Sequence, residues 1–281
     1  MALSRREFLQ VSGLGALALS SMGMLAACGG STEGSSASKL ETIKKRGKLK
    51  AGVKKDVVGY GLLDTATNTY QGFEIDLTYQ VAAAIFGVSY EDAKEKELVE
   101  FTDVTPKTRG PLIDNDTLDI ICATYTITDA RKKDWDFSTP YRTDHVGVLV
   151  KKDAGMKSMA DLDGKMIGVS QGSTTKELVL KMLADEGIKA TPDFSEYPDY
   201  PSIKSALDSG NVDAFAMDRS TLKTYTTDDC ELLDASIEFG AQDYGIATKK
   251  GSDLSEVVDS AIKKLKSEGW LEQEYATWKL L

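Results

Sequence analysis

Leu112-Ile113-Asp114-Asn115-Asp116-Thr117-Leu118-Asp119 and Ala206-Leu207-Asp208-Ser209-Gly210-Asn211-Val212-Asp213 are two versions of one phrase. Each ends an amphipathic segment with polar turn residues and opens a short apolar run, the pattern of a helix passing into a buried strand. The flanks repeat too. Ahead of the first copy the chain reads as strand Leu49 to Val53, helix Gly72 to Gly87, strand Leu98 to Phe101 and helix Thr108 to Asn115, with strand Leu118 to Ala123 following. Around the second it reads as strand Met166 to Val169, helix Thr174 to Glu186, strand Asp193 to Tyr197, helix Tyr200 to Leu207 and strand Val212 to Ala216. Phe73, Leu77, Val81, Ala84 and Ile85 recur at helical spacing, and Gly87 supplies the stop. Two β-α-β-α-β units predict an α/β chain of two lobes, each a mostly parallel sheet flanked by helices.

Ligands of open parallel sheets sit beyond the carboxyl ends of the strands. Two facing lobes make those ends the walls of one cleft. The polar residues after the strands are therefore candidates for binding: Lys54, Thr124, Thr126, Ser170, Gln171, Ser173, Thr174 and Asp218. A helix cap or turn explains any one of them alone. Their recurrence after successive strands favours a shared site.

The N-terminus has the parts of an export signal, with charged Ser4-Arg5-Arg6-Glu7-Phe8-Leu9, an apolar run from Val11 to Leu25 and small residues before Cys28. The paired arginines resemble a twin-arginine signal, and Leu25-Ala26-Ala27-Cys28 resembles a bacterial lipobox. These resemblances imply cleavage after residue 27, lipidation of Cys28 and an extracytoplasmic, membrane-anchored chain. Serines and glycines within the apolar run argue against an uncleaved spanning helix. Residues 28–39, rich in Gly and Ser, read as a flexible linker.

The formal charge of −10 argues against nucleic acid as a partner. With His145 as its one histidine, the sequence offers no His/Cys cluster for a transition metal and little basis for a Ser-His-Asp triad. No Gly-rich phosphate loop followed by Lys-Ser/Thr is present, so an ATP-driven step belongs to another chain. No cofactor is expected. Cys122 and Cys230 read as buried free thiols.

Gly72-Phe73-Glu74-Ile75-Asp76-Leu77-Thr78-Tyr79-Gln80-Val81-Ala82 resembles the signature of the family 3 extracellular solute-binding proteins, the polar amino acid receptors of ABC importers. Thr126-Ile127-Thr128-Asp129-Ala130-Arg131-Lys132-Lys133 and Phe137-Ser138-Thr139-Pro140-Tyr141 resemble it as well, and the likeness runs from about Leu40 to the C-terminus. The resemblance implies a type II periplasmic-binding-protein-like fold, with lobe 1 from 40–142 and 245–281 and lobe 2 from 143–244. It further implies a monomer that delivers its ligand to permease and ATPase subunits on separate chains. Crossings between lobes are expected near Tyr141 to His145 and Gln242 to Gly245.

An amino acid presents a carboxylate and an ammonium, so its receptor needs a cation with donors at one end and an anion at the other. By resemblance Arg131 is the α-carboxylate clamp, for which a planar guanidinium is suited. Thr126 and Thr174 add donors, the latter at a helix N-terminus that favours anions. Asp218 receives the ammonium, and Tyr200 packs against or hydrogen-bonds the solute. Lys54, with Arg109 in Lys107-Thr108-Arg109-Gly110-Pro111-Leu112, and Thr124 resemble the aspartate/glutamate receptors, in which such residues hold a distal carboxylate. Counting Lys54, Arg109 and Arg131 against Asp218 makes a cationic cleft, suited to glutamate or aspartate. Glutamine or cystine are alternative ligands, pairing of Lys54 and Arg109 with acids such as Asp56 or Asp103 is the rival account of those cations, and a dehydratase-like enzyme is the rival on the same fold. Lipidation is checked by mass spectrometry of the chain expressed in a bacterial host: a diacylglycerol-sized increment is expected on wild type and absent from Cys28→Ala, and identical masses contradict it.

Overall fold

The computed structural model describes residues 38–280. The export signal, Cys28 and nearly all of the linker lie outside those residues. The first described element is helix Lys39–Arg46, whose Ser38 hydroxyl accepts from the Glu41 amide and whose last turn carries Lys44, Lys45 and Arg46 beside the negative end of the dipole.

The repeated phrase folds as its pattern predicts. In the first sheet Val99–Asp103, Leu49–Val53 and Ile120–Cys122 lie parallel in that order. In the second, Asp193–Tyr197, Met166–Ser170 and Ala214–Asp218 do the same. Helices Phe73–Phe86, Arg109–Asp114, Thr175–Asp185 and Tyr200–Ser209 connect them. Their apolar stripes supply the buried Phe73, Leu77, Val81, Val179, Ile203 and Leu207. The chain therefore has the expected two-lobed α/β architecture.

Beside these parallel strands each sheet also carries antiparallel ones, so both sheets are mixed. Ala247–Lys249 runs antiparallel between Ile120–Cys122 and Trp135–Phe137 in the first sheet. In the second, the long strand Arg142–Lys151 pairs antiparallel with Ala214–Asp218, Cys230–Leu232 and Phe239–Tyr244. The physical reason is connectivity: parallel neighbours need a long crossover, whereas a chain passing directly from one sheet to the next arrives in the opposite sense. The chain leaves the first sheet after Phe137 and enters the second at Arg142, then leaves it after Tyr244 and rejoins the first at Ala247. The two passages touch, since the Tyr141 amide donates to the Tyr244 carbonyl at 2.9 Å. Buried aromatic rings of Tyr60, Phe73, Tyr141 and Tyr244 fill the space around them.

The C-terminal helices Leu254–Ser267 and Trp270–Thr277 pack on helix Phe73–Phe86. Tyr275 meets the Phe73 ring at 4.9 Å between centroids, and the Trp278 indole N–H donates to Asp76 at 3.0 Å. A three-stranded sheet, Asp56–Val57, Gly61–Asp64 and Thr69–Gln71, leads into the helix through Gly72. Gly72 has φ +136°, and a Cβ there would stand 2.2 Å from the Tyr60 carbonyl oxygen. Only glycine fits, and this junction fixes where the first turn of helix Phe73–Phe86 begins. Gly72→Ala is expected to cost about 2 to 4 kcal/mol, because strain and a backbone clash add. Urea unfolding measures it, and a loss below about 1 kcal/mol contradicts the account.

Candidate functional site

The carboxyl ends of the parallel strands face one another across a small enclosed cavity of about 20 Å³. From lobe 1 its walls are Arg109, Thr124 and Thr126; from lobe 2 they are Ser170, Ser173, Thr174, Tyr200 and Asp218. A larger groove of about 610 Å³ lies open on lobe 1, along Trp135, Asp136 and Lys250. It lies away from the strand ends and gathers none of the predicted residues.

The cavity is closed by contacts between the lobes. Arg131 donates to the Gly172 carbonyl at 3.1 Å, Lys107 to Gln171 at 3.2 Å and the Tyr225 hydroxyl to the Asp56 carbonyl at 2.7 Å. Gly172 permits this approach with φ +75°, and a Cβ at that position would sit 3.0 Å from the Lys107 Cα. A space holding about one water is too small for an amino acid, so ligand entry requires the lobes to part.

Arg131 and Lys54 stand just behind the walls. The Arg131 guanidinium donates to the Thr126 carbonyl at 2.8 Å and lies 4.8 Å from the centre of the Tyr125 ring. Burial and the nearby Arg109 lower its pKa to about 10, which leaves it cationic at neutral pH. Arg109 stacks on the same Tyr125 ring at 3.8 Å and donates to the carbonyls of Ala123 and Thr124 at 2.6 and 3.1 Å. Its Nε is buried without a partner. Tyr125 is thus a shared shelf for two guanidiniums, and its place between Thr124 and Thr126 at a strand end was the one signal for it.

Lys54 is 1 % exposed, and its ammonium stands 3.3 Å from Asp56 and 4.3 Å from the centre of the Tyr200 ring. Burial lowers its pKa, and Asp56 pulls it back up. Counting Lys54 as a free cation is therefore inaccurate: its countercharge arrives two residues later on the turn into the three-stranded sheet. Of the two acids named as rivals, Asp56 pairs with Lys54, while Asp103 pairs with Lys55 at 2.7 Å.

Asp218 accepts from the Tyr244 hydroxyl, which also lies 3.4 Å from Asp144. Burial, followed by the Asp144 charge, pushes Asp218 up to about 7, against the pull of Tyr244, Arg109 and Arg131. The Thr174 hydroxyl donates to Gln242 at 3.2 Å, and the Nε2 of Gln242 has no partner. Ser170 and Ser173 likewise bury hydroxyls without partners. Ser170 ends strand Met166–Ser170, and Ser173 follows it in the next turn. A cavity whose buried hydroxyls and guanidinium N–H lack partners is built to donate hydrogen bonds to something else. Among the described residues, Asp208, Asp229 and Cys230 form a group close enough to hold a metal, but it lies away from the cavity with Asp208 paired to Lys204. Cys122 and Cys230 are buried free thiols.

Two lobes, a cavity at their strand ends and a cation and an anion on its rim define a receptor for a small polar solute. The sequence profile of the bacterial extracellular solute-binding proteins, family 3, matches residues 49–280, and the chain belongs to that family. The ABC transporter glutamine-binding protein GlnH of Bacillus subtilis is 32% identical over 277 residues, covering 96% of this chain and 97% of that protein. The L-glutamate/L-aspartate-binding protein of Pseudomonas aeruginosa is 30% identical over 246 residues, 85% of this chain and 79% of its own. An ancestral arginine-binding protein bound to glutamine superposes with a TM-score of 0.69 at 30% identity, over 83% of this chain and 98% of that one.

The raised Asp218 has a consequence for stability. Between its unfolded value near 4 and about 7 the folded state binds the extra proton, so stability falls as pH rises through that window and is flat above it. Ligand-free Asp218→Asn is expected to melt above wild type at pH 8, with the gap closing toward pH 4. A gap that widens toward low pH contradicts the assignment.

Proposed function

We propose that this chain is the extracytoplasmic receptor of an ABC importer for a polar amino acid, and that glutamine is its preferred ligand. The observation that carries this reading is the buried Lys54–Asp56 pair at 3.3 Å. With Lys54 neutralised, the remaining charges also fall into pairs. Glu74, fully buried behind Thr124, counters Arg109 across the Thr124 peptide. Arg131 and Asp218 are left nearest the cavity, one cation and one anion, the complement of an α-carboxylate and an α-ammonium, with Asp144 set behind Asp218 beyond Tyr244. Thr126, Thr174, Ser170 and Ser173 supply further polar contacts. A side-chain amide, donor and acceptor together, suits the neutral region near Tyr200 and Lys54 better than a second carboxylate does. Glutamate is the second reading, favoured by the unpartnered Nε of Arg109.

The proposal extends to the rest of the chain. Lobe 1 comprises 40–142 and 245–281, lobe 2 comprises 143–244, and the passages beside Tyr141 and Tyr244 are the hinge. Ligand shifts the hinge toward closure because only the closed form touches it from both sides. Lipidated Cys28 holds a monomer near permease and ATPase subunits, after removal of residues 1–27. Asp218 is the one proton-transfer candidate for a dehydratase-like activity, and recovery of unchanged ligand after long incubation excludes that rival.

Calorimetry on the full chain against the common amino acids is the test. Glutamine is expected to bind with a Kd near 1 µM, about −8 kcal/mol, and glutamate about tenfold or more weakly at pH 8. Arg131→Ala is expected to lose about 2 to 5 kcal/mol of affinity for either. Glutamate preferred over glutamine overturns the ligand choice, and binding of no amino acid overturns the receptor reading.

A further inference from the structure

Glu74 is a buried carboxylate that does not itself line the cavity. It sits in the first turn of helix Phe73–Phe86 with no exposed surface, and its Oε2 is buried without a partner. Burial pushes its pKa up, and the Tyr141 hydroxyl, the Thr124 amide, Lys54 and Arg109 pull it down. Carboxylates with one idle oxygen are costly to bury, so a compensating role is to be sought among the groups it binds.

One of those groups is strained. Thr124 has φ +43°, in the left-handed region that a β-branched side chain resists. The other non-glycine residues with positive φ, Asn68, Glu97, Asp116, Asp234 and Lys279, lie at exposed or half-exposed positions, whereas Thr124 is buried on the cavity wall. Its amide donates to Glu74 Oε1 at 2.6 Å, and its carbonyl, with that of Ala123, accepts from Arg109 at 3.1 and 2.6 Å. The same Glu74 oxygen accepts from Tyr141, at the passage between lobes. Strain held by a buried charge at a binding wall is a sign of imposed geometry.

We infer that Glu74 is a positioning residue for the binding site, holding the Thr124 peptide in its left-handed conformation and through it aiming Arg109 along the cavity wall. The claim rests on the reading of this cavity as the amino acid site. Glycine adopts φ +43° without strain, so T124G removes the need for the hold.

The test is a double-mutant cycle on the full chain with E74Q, which keeps the shape and removes the charge, T124G and their combination. Two quantities are read, the Kd for glutamine and the melting temperature without ligand. E74Q is expected to raise the Kd about tenfold in the wild-type background and about twofold or less in the T124G background, with a larger fall in melting temperature in the former. A uniformly structural role predicts equal changes in both backgrounds, and that result overturns the inference. Should E74Q alone fail to fold, T124G is expected to restore folding, and a double variant that is equally unfolded also overturns it. Wild type that binds no glutamine sinks the ligand choice instead; the melting cycle then decides the positioning claim, with coupling supporting it and additivity overturning it.

Discussion

Closing two lobes over the carboxyl ends of their strands buries polar groups that the protein does not satisfy by itself. Ser170 and Ser173 keep idle hydroxyls, Gln242 an idle amide nitrogen and Arg109 an idle Nε. Each such group is worth about 1 to 3 kcal/mol of desolvation when left unpaired. Burying several of them at one place is a cost that a bound polar ligand would offset by completing the bonds. The rest of the architecture follows from that constraint: rigid sheets to present the strand ends, two thin passages between them, and contacts such as Arg131 to Gly172 that form only when the lobes meet.

Asp218 is wired by hydrogen bonds to the strands that border the passages between the sheets. Asp218 is bonded to Tyr244, Tyr244 lies beside Asp144, Asp144 accepts from Ser220, and Ser220 meets the Tyr60 hydroxyl at 3.0 Å. Tyr244 and Asp144 lie on the strands that border the two passages, Tyr60 belongs to the first lobe and Ser220 to the second. Two neighbouring carboxylates in a buried site resist joint ionisation. On the proposed reading, a ligand ammonium at Asp218 would relieve that repulsion beside the two passages.

Much of this was legible in the sequence because it depends on local pattern. Apolar runs bounded by polar residues gave the strand ends, and Thr124, Thr126, Ser170, Ser173, Thr174 and Asp218 did converge on one cavity. What escaped was set by distant pairing. Asp56 faces Lys54 because the chain turns tightly into a hairpin after Leu49–Val53, and nothing in Lys54-Lys55-Asp56 tells which lysine takes the acid. The antiparallel role of Arg142–Lys151 depends on where the chain comes from, which periodicity does not encode. Glu74 reads as an ordinary first-turn acid, favourable to the helix dipole, and only the fold shows that its carboxylate turns inward.

On the proposed reading, these unseen pairings would decide selectivity more than the visible cations do. Arg109, Arg131 and Lys54 suggest a strongly positive cleft when counted by type. Placed in the fold, Lys54 is answered by Asp56 and Arg109 is backed by Glu74, so the field at the cavity is set by differences between buried pairs. At low local dielectric such differences are large, and moving one carboxylate by one residue changes which ligand charge is tolerated. Relatives about 30% identical to this chain that are named for glutamine and for glutamate or aspartate fit that view. On that reading, the clamp for the amino acid backbone stays constant while specificity is set by countercharges such as Asp56 and Glu74, which do not line the cavity.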